Sequence, residues 1–390
     1  MEDGRLTPPR AGRVGWLRWV VTRTRHAPAS CRLAPNKPST RILAGLARAA
    51  LCALGLLSLG RLPALGAEPR ARPAPLVDLH VDLPYQHVFQ GRDFASGSGQ
   101  YRALELLRAG VVGVVLPLFV PARVSPSGPR LSDLEGSYQR VFDALTRTPP
   151  YALPGCLASR QSVRTFLAFE GAAPLLERQD SLVEFVARGV RSIGLVHTRD
   201  NRLAASSQQP SELAGTPAGH KGLTTEGVDL VERAVRLRVA VDVSHASDAT
   251  VREVAELVTS ARVPMLATHS NSRVVRNHPR NLADAEALAI ARSGEVVGVN
   301  LHSPFLVAGR RARIADVVRH VRYWVRVLGV EHVGIGSDFE GDIRPPEGLE
   351  SVADLPKLAL ALEQSGLSRA AVEQIFGLNA LRILCPPSER

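Results

Sequence analysis

The feature that most constrains the fold is a series of eight short apolar runs, rich in β-branched residues, that alternate with helical segments between residues 75 and 339. The runs are PLVDLHVD (75–82), VVGVVLPLFV (111–120), VRTFLAFEG (163–171), SIGLVHT (192–198), VAVDVSHAS (239–247), PMLATHS (264–270), EVVGVNL (295–301) and HVGIGSDF (332–339). Several are continuously apolar, as strands covered on both faces are, and glycine, proline or polar residues bound them. They predict a parallel sheet with helices on its faces.

The segments between the runs have apolar residues spaced three and four apart, the period of an amphipathic helix. Examples are LTTEGVDLVERAVRLR, DATVREVAELVTSAR, DAEALAIARSG and IADVVRHVRYWVRVLG. Ser247 is placed to cap the second of these helices, and Gly294 and Gly329 are placed to end the third and fourth. Eight strand–helix repeats favour an α/β fold of the (β/α)₈ TIM-like barrel type over an open doubly wound sheet. We expect the polar stretches 121–133 and 199–222 to be loops over its active face.

Potential ligands and proton-transfer groups lie at the ends of six of the eight runs. They are His80, Asp82, Glu170, His197, His245, His269 and Asp338. In a barrel the carboxyl ends of the strands surround one mouth, where the active site lies. Residues i and i+2 of an extended chain face the same side, so His80 and Asp82 can act together. A single histidine near a strand end is more often structural, so the set carries the prediction.

So many carboxylates and imidazoles at one place would be unstable unless a cation lay among them. Imidazole and carboxylate ligands without thiolate suit zinc, with manganese or cobalt as substitutes. The set exceeds what one catalytic zinc needs, so we predict two ions bridged by one carboxylate. Such a pair would ionise water near neutral pH, which predicts a hydrolase.

The net charge of +11 is concentrated at the amino terminus. Residues 1–72 contain 13 lysines and arginines against 3 acidic residues, whereas residues 73–390 contain 35 against 34. The nearly neutral remainder argues against a nucleic-acid partner. The basic leader, the apolar run at 49–60 and the small residues near Ala67 are typical of a secretory signal, which predicts export to the periplasm or medium. An uncleaved segment that tethers the protein to a membrane is the alternative. We therefore expect residues 73–390 to be a single barrel domain.

The four cysteines, at 31, 52, 156 and 385, have no CxxC spacing, which argues against a cysteine-based zinc site. Cleavage near Ala67 would leave Cys156 and Cys385. They could pair in an oxidising compartment, but we expect two separate, buried small side chains.

Several motifs together resemble the membrane dipeptidase (renal dipeptidase) family of zinc-dependent peptidases. They are VDLHVDLP, FEG at 169–171, LVHTRDN, GLTTEGVDLVERAVRLRVAVDVSHAS, THSNSRVV with RN at 280–281, and GIGSDFEG followed by PEGLES. The similarity runs from about residue 75 to about 384, and it implies a (β/α)₈ barrel that hydrolyses dipeptides, including those with a D-residue at the carboxyl end.

The resemblance also implies a role for each site residue. His80 and Asp82 would bind one zinc, His245 and His269 the other, and Glu170 would bridge them. His197 would bind substrate and stabilise the oxyanion, Arg280 would pair with the substrate carboxylate, and Asp338 would shuttle a proton from the attacking water to the leaving amine.

Several points stay open at the level of sequence. The family often has DFDG where this chain has Glu340, which leaves the role of Glu340 unassigned. The same barrel and metals could act on a lactone, another amide or a phosphoester, because a fold does not fix chemistry. A binding protein built on an inactive barrel is a third interpretation. Such a protein would have lost some of the candidate metal ligands, whereas this sequence has all of them. A homodimer is compatible with the sequence.

Overall fold

The computed structural model describes residues 73–124, 128–208, 221–259, 261 and 263–385. The predicted leader, with its apolar run at 49–60 and its cleavage region near Ala67, lies outside these residues. Among the described helices, none has the length and apolar character needed to cross a bilayer.

Nine parallel strands form one sheet within the described residues. They are β1 (Leu76–Asp78), β2 (Val111–Phe119), β3 (Tyr151–Pro154), β4 (Val163–Glu170), β5 (Val190–Gly194), β6 (Ala240–Asp242), β7 (Met265–Leu266), β8 (Val297–Val299) and β9 (Val333–Ile335). Seven of the eight predicted runs contain one strand each, and the run 192–198 overlaps β5, which begins at Val190. The ninth, β3, was not predicted because it is short, half-exposed and paired only with β4.

The strand order is β7-β6-β5-β4-β2-β1-β9-β8, and β3 pairs with the beginning of β4. The longest register runs between β2 and β4, from Gly113 beside Arg164 to Phe119 beside Glu170. A parallel bridge between Ala267 and Val297 joins the two ends of the order. The sheet is therefore a nearly closed barrel of eight strands, as predicted, with β3 as an addition.

Helices follow most strands. They are α1 (Leu83–Phe89), α2 (Leu131–Arg147), α3 (Ser181–Ala187), α4 (Thr225–Leu237), α5 (Asp248–Thr259), α6 (Asp284–Arg292), α7 (Ser303–Leu306), α8 (Ile314–Leu328), α9 (Leu355–Gln364), α10 (Arg369–Glu373) and α11 (Asn379–Leu384). The Ser247 hydroxyl accepts the Thr250 amide at 3.1 Å and caps α5, as predicted. Gly294 and Gly329 follow α6 and α8 with φ of +89° and +95°, so both helices end as the sequence indicates.

Burial explains why the strands are continuously apolar. In β4 every residue except Arg164 is buried, because helices cover the outer face of the sheet and side chains of other strands cover the inner face. One large apolar cluster packs strands against helices, and a smaller one links Val77, Phe166 and Ala168 to Leu384 of α11. The polar residues at the strand ends are thus held in place by tightly packed strands.

Cys156 and Cys385 form a disulfide with a Cα–Cα distance of 5.5 Å. The expectation of two separate small side chains was wrong. The cysteines are 229 residues apart in sequence, and pairing depends on closure of the barrel, which brings the carboxyl terminus beside β3 and the start of β4. Sequence spacing carries no signal of that approach.

Candidate metal centre

Seven of the eight predicted site residues lie at or just beyond the carboxyl ends of their strands, and the eighth, Arg280, lies in the long connection between β7 and α6. Glu170 is the last residue of β4, and the other six follow β1, β5, β6, β7 and β9 within four residues. They are His80, Asp82, His197, His245, His269 and Asp338. Parallel strands direct all of these ends to one mouth, so residues distant in sequence meet there.

Glu170 is the centre of the cluster. Its Oε1 atom lies 3.1 Å from His245 Nε2, 3.6 Å from His80 Nε2 and 3.7 Å from His269 Nε2. Asp82 Oδ2 lies 3.7 Å from His80 Nε2. The structure therefore brings the five predicted ligands together, with the carboxylate predicted to bridge in the middle.

Asp338 approaches the same centre from β9. One of its carboxylate oxygens lies within 4.8 Å of ligand atoms of His80 and His269, and Asn300 donates a hydrogen bond of 2.9 Å to its Oδ2. A Cβ on Gly341 would lie 2.6 Å from Asp82 Oδ2 and 2.9 Å from Asp338 Oδ1. Only glycine at 341 lets these two carboxylates lie against the same piece of backbone.

A second layer of residues orients the histidines, and sequence reasoning did not identify it. The Thr268 hydroxyl donates to Asp242 Oδ2 at 2.6 Å and lies 2.8 Å from His269 Nδ1 and 3.2 Å from His80 Nδ1. Because its one hydrogen is given to Asp242, Thr268 can only accept from the two rings. Both rings therefore carry a proton on Nδ1, which leaves Nε2 as the nitrogen that can bind a metal.

His245 follows the same rule. Its Nδ1 lies 3.2 Å from Gln208 Oε1, an acceptor, so its Nε2 also presents a lone pair. That atom is 3.0 Å from His269 Nε2, and the buried His80 Nε2 has no hydrogen-bond partner in the described part of the chain. Two facing lone pairs and an orphaned buried nitrogen around a carboxylate fit a cation between them.

The electrostatics agree with this fit. Burial alone would lower the pKa of His80, but the carboxylates of Glu170 and Asp82 outweigh it and raise the pKa to about 10. Burial lowers the pKa of His245 and His269 well below the usual range. The carboxylates thus attract positive charge to His80 Nε2, where a metal would take the place of a proton, whereas His245 and His269 are already neutral.

Arg280 and His197 flank the centre. Arg280 is buried, and its Nη1 donates to Ser270 Oγ at 3.0 Å, while Nε and Nη2 have no partner among the described residues. Burial lowers the pKa of Arg280 to about 10, which leaves it charged at neutral pH. The His197 ring packs against His245 and Phe119, with centroids 4.5 and 4.4 Å away. Burial also lowers the pKa of His197.

Two connected cavities lead to the centre. A cavity of about 250 Å³ lies directly over it, bounded by Asp82, Glu170, His245 and Asp338 and walled by Tyr85 and Phe305, among others. A cavity of about 640 Å³ shares Phe119, Glu170, His197 and Thr198 with it. The larger cavity lies over the ends of β2, β4 and β5, across the barrel from Arg280, which follows β7.

Glu340 lies outside this cluster. Its buried carboxylate accepts backbone N–H groups of Ser98, Gln100 and Tyr101, the latter two at 3.0 and 2.8 Å. It is in none of the groups of potential ligands found among the described residues. Glu340, which replaces the second aspartate of DFDG, therefore binds backbone N–H groups and is not one of the candidate metal ligands.

A barrel whose mouth holds buried imidazoles and carboxylates around a central glutamate is typical of the class of metal-dependent barrel hydrolases. The sequence profile of the membrane dipeptidase family (peptidase family M19) matches residues 68–386. The chain belongs to this family, and it is therefore an enzyme of the metallodipeptidase type.

Known proteins agree with this assignment. An uncharacterized dipeptidase of Schizosaccharomyces pombe is 28% identical over 341 residues, which is 80% of each chain. Dipeptidase 3 of Macaca fascicularis is 29% identical and covers 81% of this chain and 66% of its own. Among solved structures, the M19 dipeptidase AC superposes with a TM-score of 0.69 at 26% identity, over 80% of this chain and 98% of its own.

A metallo peptidase from Rhodobacter sphaeroides, solved with a phosphinate mimic of the dipeptide L-Ala-D-Ala, has the same fold. Its TM-score is 0.69 at 24% identity, and the match covers 80% of this chain and 99% of that one.

Proposed function

We propose that the protein hydrolyses dipeptides with two zinc ions, and that it accepts both L,L and L,D substrates. The observation that carries the proposal is the convergence of three imidazole Nε2 atoms on Glu170 Oε1, at 3.1 to 3.7 Å. These nitrogens come from three different strands, and no structural role requires them to meet at a buried carboxylate.

His80 and Asp82 would hold one ion, His245 and His269 the other, and Glu170 would touch both. The donor set, imidazole and carboxylate without thiolate, favours zinc and also admits manganese or cobalt. When bound, the metal supplies Lewis acidity, which lowers the pKa of water and polarises a carbonyl group.

The substrate is held by its carboxylate. The buried Arg280 guanidinium has two donors without a partner in the described residues, Nε and Nη2, and such a fork suits the two oxygens of a carboxylate. A substrate anchored there extends across the centre, so its amino-terminal side chain enters the 640 Å³ cavity. The aromatic and charged walls of the smaller cavity enclose the carboxyl-terminal residue.

Two further residues complete the reaction. Asp338 lies where it can take the proton of the attacking water and give it to the leaving amine, and Asn300 fixes its orientation. His197, neutral because burial lowers its pKa, has one N–H to donate to the negative charge that develops on the carbonyl oxygen. The phosphinate dipeptide bound by the Rhodobacter protein resembles such a tetrahedral species and supports the L,D substrate class.

The disulfide supports export, because disulfides persist in oxidising compartments. We therefore propose a periplasmic or secreted enzyme, tethered to a membrane only if the leader is retained.

The test is an assay of purified protein on L-Ala-L-Ala, L-Ala-D-Ala and a lactone, before and after chelation. We expect both dipeptides to be hydrolysed, the activity to vanish with the metal, and added zinc to restore it, with two ions per chain by metal analysis. Full dipeptidase activity in metal-free protein, or activity on the lactone alone, would overturn the proposal.

A further inference from the structure

Glu340 is a buried carboxylate that the reaction above does not use. Its side chain is held by a concave row of backbone N–H groups from Ser98, Gln100 and Tyr101. Three amides directed at one carboxylate form an anion-binding site made of backbone, and such charge-assisted hydrogen bonds are stronger than neutral ones. The contact joins the segment after β9 to the loop after α1.

The backbone of Glu340 is held as firmly as its side chain. Its N–H donates to Gln100 Oε1 at 2.8 Å, and its carbonyl accepts from Gln86 Nε2 at 2.6 Å. Gln86 lies on α1, the helix that begins directly after Asp82. The same helix therefore follows one predicted metal ligand and fixes the segment that carries Asp338.

This segment has an unfavourable backbone conformation. Asp338, Glu340 and Asp342 have φ of +64°, +70° and +56°, in the left-handed region that residues with a Cβ avoid. Such residues persist only where surrounding contacts hold them, and they concentrate at functional sites. Every polar atom of Glu340 makes such a contact.

The conformation determines where the reacting carboxylate lies. Gly341, the residue after Glu340, lies against Asp82 Oδ2 and Asp338 Oδ1 so closely that a Cβ there would be 2.6 and 2.9 Å from them. A displacement of Glu340 would therefore move Gly341 and the Asp338 carboxylate, which belong to the same segment, whereas Asp82 is held separately by the connection between β1 and α1.

We propose that Glu340 is a positioning residue: by anchoring the 338–342 segment to the backbone of residues 98–101, it holds Asp338 in its reactive position. Glu340 touches neither substrate nor metal in this role. The inference rests on the proposed role of Asp338 as the proton shuttle.

Gly97 provides independent support. A Cβ at this residue would lie 2.6 Å from the Glu340 carboxylate carbon, so the carboxylate can reach the amides only because residue 97 is glycine. Gly97→Ala should push the carboxylate from its site without altering any residue near the metals.

The experiment compares Glu340→Gln, Glu340→Asp and Gly97→Ala with the wild-type holoenzyme. Glu350→Gln is the matched control, because that exposed glutamate also accepts a backbone N–H, from Gly348 at 3.1 Å. For each variant we measure kcat and KM for L-Ala-D-Ala at a temperature well below its thermal unfolding midpoint. We also measure its metal content and determine its crystal structure.

In Glu340→Gln the amide group opposes N–H donors, so we expect kcat to fall roughly tenfold to a hundredfold, the cost of a misplaced reacting group. KM should change less than about threefold and metal content not at all, because Arg280 and the five ligands are untouched. Glu340→Asp, which keeps the charge but shortens the reach, should recover part of the loss. Gly97→Ala should resemble Glu340→Gln, and Glu350→Gln should behave as wild type.

Three outcomes would overturn the inference. These are an unchanged kcat in Glu340→Gln, a kcat that falls only in proportion to lost metal or lost fold, and an Asp338 carboxylate that moves less than about 0.5 Å in the variant crystal structure. The structural readout does not depend on activity. An inactive wild-type protein would count against the proposed function, whereas an active wild type with an equally active Glu340→Gln would count against Glu340 alone. If Glu340→Gln does not fold, Gly97→Ala provides the same readouts.

Discussion

Thr268 donates a hydrogen bond of 2.6 Å to Asp242, and the same hydroxyl oxygen faces the Nδ1 atoms of both His269 and His80. One threonine thus sets the tautomer of two histidines that belong to different proposed metal sites. The Thr268 amide also donates to Asp242, at 3.1 Å, so the threonine is fixed before any metal binds.

Thr268→Val keeps the shape of the side chain and removes the hydroxyl. We expect the affinity for zinc to fall roughly tenfold to a hundredfold, because neither ring then has a partner for Nδ1–H. Competition with a chromophoric chelator measures the affinity. Thr259→Val removes an exposed hydroxyl that donates to the Ala255 carbonyl at 2.6 Å, on the outer helix α5, and should leave zinc affinity unchanged. Equal affinities in the two variants would refute the role of Thr268.

Arg280→Lys replaces a planar fork with a single ammonium group. We expect kcat/KM for a dipeptide to fall roughly tenfold to a hundredfold, mainly through KM, since a charge-assisted hydrogen bond contributes about 1.5–3 kcal/mol. The matched substrate is the dipeptide amide, which has no carboxylate and should be hydrolysed equally slowly by both enzymes. Arg236→Lys, on an exposed helix face, is the control variant. A loss that is equal for the dipeptide and its amide would show that Arg280 does not bind the carboxylate.

Asp338→Asn removes the proposed proton shuttle but retains a similar shape, and its side chain can still pack beside Asn300. We expect kcat to fall by about 10²–10⁴, the range for loss of general acid–base catalysis, while metal content and KM stay near wild type. Steady-state kinetics with metal analysis checks this. A variant that loses its metal in parallel with its activity would identify Asp338 as a ligand instead.

The sequence was sufficient to predict the architecture and the convergence of the candidate ligands at one end of the barrel. Strands covered on both faces must be continuously apolar, so β2 and β4 were visible as runs, and a polar residue that ends such a run, as Glu170 does, must lie at an edge of the sheet. The eight alternating strands and helices then favoured a closed barrel, in which these strand ends surround one mouth. This logic depends only on local pattern and on the parallel arrangement of strands.

The supporting contacts could not be predicted in this way. Asp242 ends β6 and Thr268 follows the adjacent strand β7, and their hydrogen bond depends on a register that no local pattern encodes. The Cys156–Cys385 disulfide and the amides that hold Glu340 likewise depend on segments brought together from distant parts of the chain. Such contacts have a weak sequence signal because serine, threonine and aspartate are common near strand ends for local reasons.

The disulfide should stabilise the fold without taking part in the reaction. Cys156 lies beside the start of β4, with Arg164 Nε donating to its carbonyl at 2.8 Å, whereas Glu170 ends the same strand. We expect the double variant Cys156→Ser and Cys385→Ser to lose about 2–4 kcal/mol of free energy of unfolding and to keep wild-type kcat and KM. Urea denaturation measures the free energy of unfolding, and steady-state kinetics measures kcat and KM. A change in kcat larger than about twofold at full folding would show coupling between the two ends of the barrel.

His320 predicts the pH dependence of stability away from the metal centre. This buried imidazole accepts the Ser272 amide at 3.1 Å through Nδ1, and its Nε2 lies 3.1 Å from the Leu306 carbonyl oxygen. Burial lowers its pKa from 6.5 to about 4. Between these values the unfolded chain binds a proton that the folded protein does not. The contribution of the neutral His320 ring to the free energy of unfolding is therefore complete above pH 6.5 and is lost as the pH falls toward 4.

His320→Gln can keep both contacts, one through the amide oxygen and one through the amide nitrogen, but it does not titrate. Between pH 6.5 and 4.5 we expect the wild type to lose about 1.4 kcal/mol per pH unit more than the variant, measured by urea denaturation of metal-free protein. The histidines of the proposed metal centre titrate alike in both proteins, so their effect cancels in the difference. Parallel stability curves over this range would mean that His320 is protonated in the folded protein, and its buried contacts with Ser272 and Leu306 would then have to be rearranged.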